Sequence, residues 1–388
     1  MKIAIVTGTR ADWGLLSPVA RALTDSGRVT VQIVATNMHL DPVYGNTIDE
    51  IIADGFEVAF RVPMTTGADS PAAVACAMTE CARGMADAFS RLNPDLLLIL
   101  GDRYEMLAVA SVATVFGIPI IHIAGGEISE GAIDDNIRHA ITKLSSLHLV
   151  ATEPYRRRVI AMGEEPHRVI NTGAIGVHNI MTMPLMTQSQ LADSLGFEVD
   201  KQTLLVTLHP TTRAELSSAD AIEALIEALD SFPEMKVLFT YPNNDADGRA
   251  IIDRIDRYAS ENPERVKVVP SLGRLRYLSA LQFVAAVVGN SSSGIVEVPS
   301  MHIPTVDIGI RQRGRIVATS VIHCGISADE IRDAISYALS DEGIRQAESS
   351  QNPYYKPDTL RIMVDAITSC NPESMKIKHF YDLPQSES

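Results

Sequence analysis

Along this chain, short β-branched runs alternate with longer stretches whose apolar residues recur at helical spacing. Residues 3–7, 29–35, 96–100, 118–123 and 147–151 read as strands, and residues 15–25, 72–92 and 104–116 between them as helices with one buried face. That order implies parallel strands with helices on both faces of the sheet. The pattern pauses over residues 169–176 and a Met- and Pro-containing stretch at 181–187, then restarts. Strands are predicted at 203–208, 236–241, 267–269, 285–288 and 305–308, with helices at 219–231, 247–262, 273–282 and 328–340. This second unit is not a sequence repeat of the first. A last helical pattern, 358–369, has no strand after it and is expected to pack back on the first domain. The predicted fold class is therefore α/β, two Rossmann-like doubly wound domains facing a cleft. The expected division is an N-terminal domain at 1–176, a C-terminal domain at 177–357, and a helix and tail at 358–388.

Composition narrows what such a fold would bind. The 388 residues suit two domains of common size. With 33 basic and 48 acidic residues the net charge is −15, which disfavours a nucleic-acid or anionic-membrane surface. A polyanionic ligand would need a local pocket. The N-terminus is a strand leading into Gly8 and not a signal peptide, so a cytoplasmic location is expected. Apolar stretches break off well before membrane-spanning length. Cys76, Cys81, Cys324 and Cys370 lack metal-ligand spacing, so neither a zinc site nor a disulfide framework is indicated.

The chemistry-bearing residues fall at strand ends, where ligands of doubly wound sheets bind. Gly8-Thr9-Arg10, Gly101-Asp102-Arg103 and Gly125-Gly126-Glu127 follow strands of the first domain, and Asp134-Asp135 opens a helix in which Asp134 and Arg138 stand one turn apart. His209-Pro210, Tyr241-Pro242-Asn243 and the run Gly289-Asn290-Ser291-Ser292-Ser293-Gly294 hold matching places in the second domain. Taken singly, each has an ordinary structural explanation. Gly8 and Gly101 are turn glycines, Asp134 and Asp135 are first-turn acids favoured by the helix dipole, and a serine is a common helix cap. His139 reads as a structural histidine, Arg103 as an ion-pair partner of nearby acids, and Arg156–Arg158 as a solvated helix face. Taken together, acids gather in the first domain and phosphate-friendly groups in the second. The serine-rich turn into a helix offers N–H donors to a phosphate, Glu297 suits a ribose diol, and Arg10 and Arg311 are guanidinium candidates for a diphosphate.

In order, Gly8-Thr-Arg-Ala-Asp12, Gly101-Asp-Arg103, Gly125-Gly-Glu127, Asp134-Asp-Asn-Ile-Arg-His139, Tyr241-Pro-Asn243, Gly289-Asn-Ser-Ser292 and Gly309-Ile-Arg-Gln312 resemble the UDP-N-acetylglucosamine 2-epimerase family, more closely its hydrolysing branch. The resemblance runs from the first strand to about Cys324. It implies the two-domain fold of GT-B glycosyltransferases, a homodimer, a UDP-sugar substrate and no cofactor. The implied reaction is anti elimination of UDP to a 2-acetamidoglucal, then addition of water with the opposite C2 configuration. By motif position Asp102 and Asp134 are the acid/base candidates, with Glu127 a third carboxylate and their order of action open. Arg10, His209, Ser291, Ser292 and Arg311 match positions near the diphosphate, with His209 also a stabiliser of the leaving group; Asn243 matches a nucleotide-binding position and Glu297 the ribose-binding acid.

Two departures bear on the sugar. Many relatives of the resembled family have a glutamate at the position of Ala124 and a lysine at that of Leu15. Both changes remove charge and bring the chain nearer to relatives acting on nucleotide-linked N,N'-diacetylbacillosamine. UDP-N-acetylglucosamine stands first, because the common motif set implies it, with UDP- or GDP-linked diacetylbacillosamine as the alternative. A GT-B glycosyltransferase and a nucleotide-sugar sensor without catalysis are the competing classes.

Overall fold

The computed structural model describes residues 1–66, 70–130, 133–211, 217–242 and 248–384. They form two compact units. The first comprises Met1–Glu127, Ile133–His178 and the chain from Lys356 onward; the second comprises residues 128–130 and Asn179–Tyr355. Among the described residues no helix is long and apolar enough to cross a membrane.

The first unit is built on a seven-stranded, all-parallel sheet: β1 (Lys2–Thr7), β2 (Thr30–Thr36), β3 (Val58–Val62), β4 (Leu96–Leu100), β5 (Ile120–Ile123), β6 (Leu147–Val150) and β7 (Val169–Asn171), in the order β3-β2-β1-β4-β5-β6-β7. Ile5 of β1 lies between Ile33 of β2 and Leu98 of β4, all three fully buried. Burial on both faces is why the central strands read as continuous apolar runs instead of alternating ones. Strand order reverses between β1 and β4. The turns leaving those two strands, at Gly8 and Gly101, therefore diverge and open a crevice beyond their carboxyl ends.

The second unit repeats the architecture with six parallel strands: β8 (Thr203–Thr207), β9 (Lys236–Thr240), β10 (Val266–Val269), β11 (Ala286–Gly289), β12 (Thr305–Ile308) and β13 (Val321–Cys324), ordered β10-β9-β8-β11-β12-β13. Its reversal lies between β8 and β11, just before His209 and Asn290. The α/β class read from the sequence is thus observed in both units. Three strands escaped that reading, β3, β7 and β13, and each is a sheet edge. An edge strand is covered less and is shorter or more mixed in character, so its apolar signal is weak.

The helix Thr359–Thr368 packs on the helix Arg10–Asp25, adding Met363 and Ile367 to the core of the first unit. Beyond it the tail is tied down by charge. Glu164, almost fully buried, accepts hydrogen bonds from Lys143 (2.6 Å) and His148 (2.9 Å) and pairs with Lys378 (2.8 Å). The Lys378 ammonium also donates to the carbonyls of Lys143 and Ser145. Burial alone would raise the Glu164 carboxyl, but the hydrogen bonds from His148, Lys143 and Lys378 outweigh it and hold the group at about 2. Lys143 lies in the last turn of the helix Asp134–Leu144, so the tail is anchored to the helix that opens with Asp134.

Replacing Glu164 with Gln leaves two ammonium groups without their shared carboxylate. The expected cost is about 3 kcal/mol at pH 7, the low end for a broken buried pair because Lys143 is partly solvated. Since the folded value lies below the ordinary 4.5, this contribution is complete well above pH 4.5 and disappears as the pH falls toward 2. Urea unfolding of parent and variant at pH 7 and pH 3 should show a gap that narrows in acid; an equal gap at both would refute the assignment.

Candidate active site

In the first unit the strand-end residues are organised around Arg138. This guanidinium is 1% exposed, donates to the carboxylate of Asp102, to the Glu127 carbonyl (3.0 Å) and to Asp135 (3.3 Å), and so joins three segments. A buried guanidinium cannot lose its proton, so it requires acceptors, and ionised carboxylates meet that need best. Asp102 is held in the turn after β4, where Gly101 has φ +82°, a conformation that favours glycine. Asp134 and Asp135 occupy the first turn of the helix Asp134–Leu144. Glu127 is buried, in a loop whose Gly126 has φ +80° and whose missing Cβ would lie 2.8 Å from the Tyr155 carbonyl. Arg158 donates to the Gly126 carbonyl and Arg156 to those of Val169 and Pro166. Neither of these two arginines is the solvated surface group that the sequence suggests.

Behind this loop, His122 is fully buried and donates from Nε2 to the Gly101 carbonyl (2.8 Å). Burial pushes its imidazole down to about 3, so it is a neutral strut between the two glycine turns. The turn after β1 is fixed by a capping box, Thr9 and Asp12 each accepting the other's backbone N–H. Against it lies the buried Glu105 carboxylate, which accepts from Asn37 (2.8 Å) and Arg103 (2.9 Å). A Cβ on Gly8 would come within 2.7 Å of that carboxylate, so Gly8 is required by close approach and not by φ. Burial raises the Asp12 carboxyl to about 6, against the opposing pull of Arg103. Arg10 is ion-paired with Glu50 at 2.6 Å, both half-exposed. Leu15 and Ala124 are partly buried against the apolar core of this unit, and Ala124 carries φ +68°.

In the second unit the organiser is neutral. The side chain of Asn290 accepts from the His209 N–H (2.7 Å) and donates to the His209 carbonyl (2.8 Å). Its own carbonyl accepts from Gln312 (2.9 Å) and Arg311 (3.2 Å). One asparagine thus ties together the chain after β8, β11 and β12. Gly289, with φ +139°, lets β11 approach β8; a Cβ there would lie 1.9 Å from the Thr207 carbonyl oxygen. Burial, and then the charge of Arg311, hold the His209 imidazole well below its ordinary value, so it is a neutral hydrogen-bonding group at pH 7. Ser291 caps the helix Ser292–Val296 through the Ser293 N–H, and Ser292 is exposed on its first turn. That helix has five residues, so any pull on an anion comes from its first N–H groups and not from a long dipole. Asn243 lies outside the described residues.

The sequence assignment missed the residues that act through others. From sequence Arg138 is only a neighbour of Asp134, Ser293 is one serine of a phosphate-friendly turn, and Asp135, Asn290 and Gln312 have no part of their own. The usable signal is position, since Asp135, Asn290, Ser293 and Gln312 adjoin assigned residues and Arg138 stands one helical turn from Asp134. What links them is contact between segments distant in sequence, which spacing does not reveal.

Two parallel-sheet α/β units, each carrying polar residues at its strand-order reversal, give a fold of the GT-B type. Residues 21–368 match the model of the UDP-N-acetylglucosamine 2-epimerase family, and the chain belongs to that family. It is 37% identical over 326 residues to the GDP/UDP-N,N'-diacetylbacillosamine 2-epimerase (hydrolyzing) of Campylobacter jejuni, covering 84% of this chain and 85% of that one. It is 35% identical over 388 residues to polysialic acid biosynthesis protein P7 of Escherichia coli, covering 99% and 98%. The solved UDP-GlcNAc 2-epimerase of Neisseria meningitidis, bound to UDP-GlcNAc, shares the fold with a TM-score of 0.78 over 95% of this chain and 99% of that one, at 17% identity.

Removing the Asn290 side chain leaves the buried N–H and C=O of His209 without their partner. The variant Asn290→Ala should lose about 2 kcal/mol in urea unfolding, and parental stability would show that the amide bridge contributes nothing.

Proposed function

We propose that the protein is a hydrolysing 2-epimerase, releasing UDP from a UDP-linked 2-acetamido sugar and returning the free sugar with C2 inverted. In the first half-reaction a carboxylate takes the C2 proton while the C1–O bond breaks and UDP departs, leaving a 2-acetamidoglucal. In the second, water adds across the double bond, hydroxyl to C1 and a proton to C2 from the opposite face. The C2 proton is not next to a carbonyl, so departure of the diphosphate has to assist its removal.

The observation that best supports this reading is the convergence of Asp102, Asp135 and the Glu127 carbonyl on Arg138, which gathers carboxylates at the strand ends of the first unit. Asp102 and Asp134 are the acid/base pair, with Glu127 the third carboxylate. In the second unit Arg311, the Ser291–Ser292 turn and neutral His209 receive the diphosphate, Asn243 contributes to the nucleotide and Glu297 takes the ribose. Arg10, ion-paired with Glu50 in the first unit, is a further guanidinium suited to phosphate oxygens.

For the sugar, the uncharged Leu15 and Ala124 favour N,N'-diacetylbacillosamine, the sugar in the name of the C. jejuni relative. The motif set shared with the wider family favours N-acetylglucosamine as the second reading. Incubation without acceptor of UDP-GlcNAc, and of UDP- and GDP-linked diacetylbacillosamine, followed by NMR, separates the readings. Free nucleotide with a 2-epimeric free sugar is expected; a nucleotide-linked epimer as product would remove the hydrolytic step. The variant Asp102→Asn should keep its affinity for UDP and lose about 10²–10⁴-fold in turnover. Full activity in that variant would take Asp102 out of the mechanism.

A further inference from the structure

The Glu297 carboxylate is not held by the turn around it alone. The Ser293 hydroxyl donates to Glu297 Oε2, and the Tyr277 hydroxyl donates to Ser293 Oγ at 2.7 Å. An ionised carboxylate only accepts, so the proton of Ser293 must point at Glu297, and Ser293 Oγ must in turn accept from Tyr277. The direction of the chain is thereby fixed from phenol to serine to carboxylate. Among the described residues Oε1 of Glu297 has no hydrogen-bond partner.

The relay stands on a rigid base. Tyr277 lies in the helix Gly273–Ala280 and packs against the apolar cluster of Leu278, Val298 and Ile303. Burial, and then the Glu297 charge, raise the Tyr277 phenol, so it stays protonated and remains a donor. Burial also raises Glu297, against the hydrogen bond from Ser293. Through Ser293 one oxygen of this carboxylate is tied to the helix that carries Tyr277.

We infer that Tyr277, acting through Ser293, is a positioning residue that aims Glu297 at a vicinal diol and so makes the second unit select a ribonucleotide over its 2′-deoxy counterpart. The inference rests on the proposed reading of Glu297 as the ribose acid and adds how that acid is aimed. A carboxylate fixed by the relay pairs with both hydroxyls of a ribose, whereas a 2′-deoxyribose leaves one of its oxygens unpaired. Discrimination of this kind is large only where the acceptor cannot swing to compensate. Without the phenol, Ser293 is free to rotate, and Glu297 with it.

Calorimetric titration of the full chain with UDP and with 2′-deoxy-UDP tests this. The parent should bind UDP at least about tenfold more tightly than 2′-deoxy-UDP, the worth of one hydrogen bond to a charged group. Glu297→Gln should remove most of that ratio. Tyr277→Phe and Ser293→Ala should each lower it, by weakening UDP more than the deoxy analogue. A parent without preference, or a Glu297→Gln variant that keeps it, would overturn the ribose reading itself. If Glu297→Gln lowers the ratio while Tyr277→Phe and Ser293→Ala leave it intact, or weaken both ligands equally, the relay is refuted and the ribose reading stands.

Discussion

The first unit depends on one buried positive charge. Arg138 is sealed from water, and its charge must be met by groups that the chain brings to it. That requirement draws the turn after β4, the loop after β5 and the start of the next helix to a common point, through Asp102, the Glu127 carbonyl and Asp135. The neighbouring glycines serve the same convergence, because side chains at Gly8 or Gly126 would occupy space that Glu105 or the Tyr155 carbonyl already fills. Acidic groups at the strand ends are therefore a condition of the fold as well as material for chemistry.

The second unit solves the same geometric problem without charge. Strand ends brought together at a reversal carry backbone N–H and C=O groups with no ladder partner, and Asn290 satisfies those of His209 with a single amide. Arg311 and Gln312 then rest on the carbonyl of that same asparagine. A neutral organiser leaves the charge of Arg311 uncancelled by it. The same positive charge, together with burial, keeps His209 neutral. One unit thus concentrates acids around a guanidinium, and the other holds a guanidinium beside neutral donors.

The sequence disclosed the fold where strands are buried on both faces, as β1, β4 and β8 are, because continuous apolar runs leave little choice of structure. It was silent at β3, where exposed and covered positions alternate, and at β7, which has three residues. Candidates for the site can be named from sequence where a residue type announces its chemistry, as with Asp102, Glu127 and Arg311. The parts of Asn290 and Ser293 are not legible there, because they depend on His209 and Tyr277 being near in space. The three arginines at 156–158 illustrate the same limit. A run of charge looks solvated, yet two of the three reach across to carbonyls of other segments.

The tie between Lys378 and Glu164 bears on the order in which the protein can be made. Chains emerge from the ribosome N-terminus first, and domains fold as they appear. The sheet of the first unit is complete once β7 has emerged, but the helix Thr359–Thr368 and the third partner of Glu164 arrive only after the whole second unit. During synthesis the first unit therefore waits for Met363 and Ile367, which complete its core. The unit whose sheet is made before the other is completed only after it.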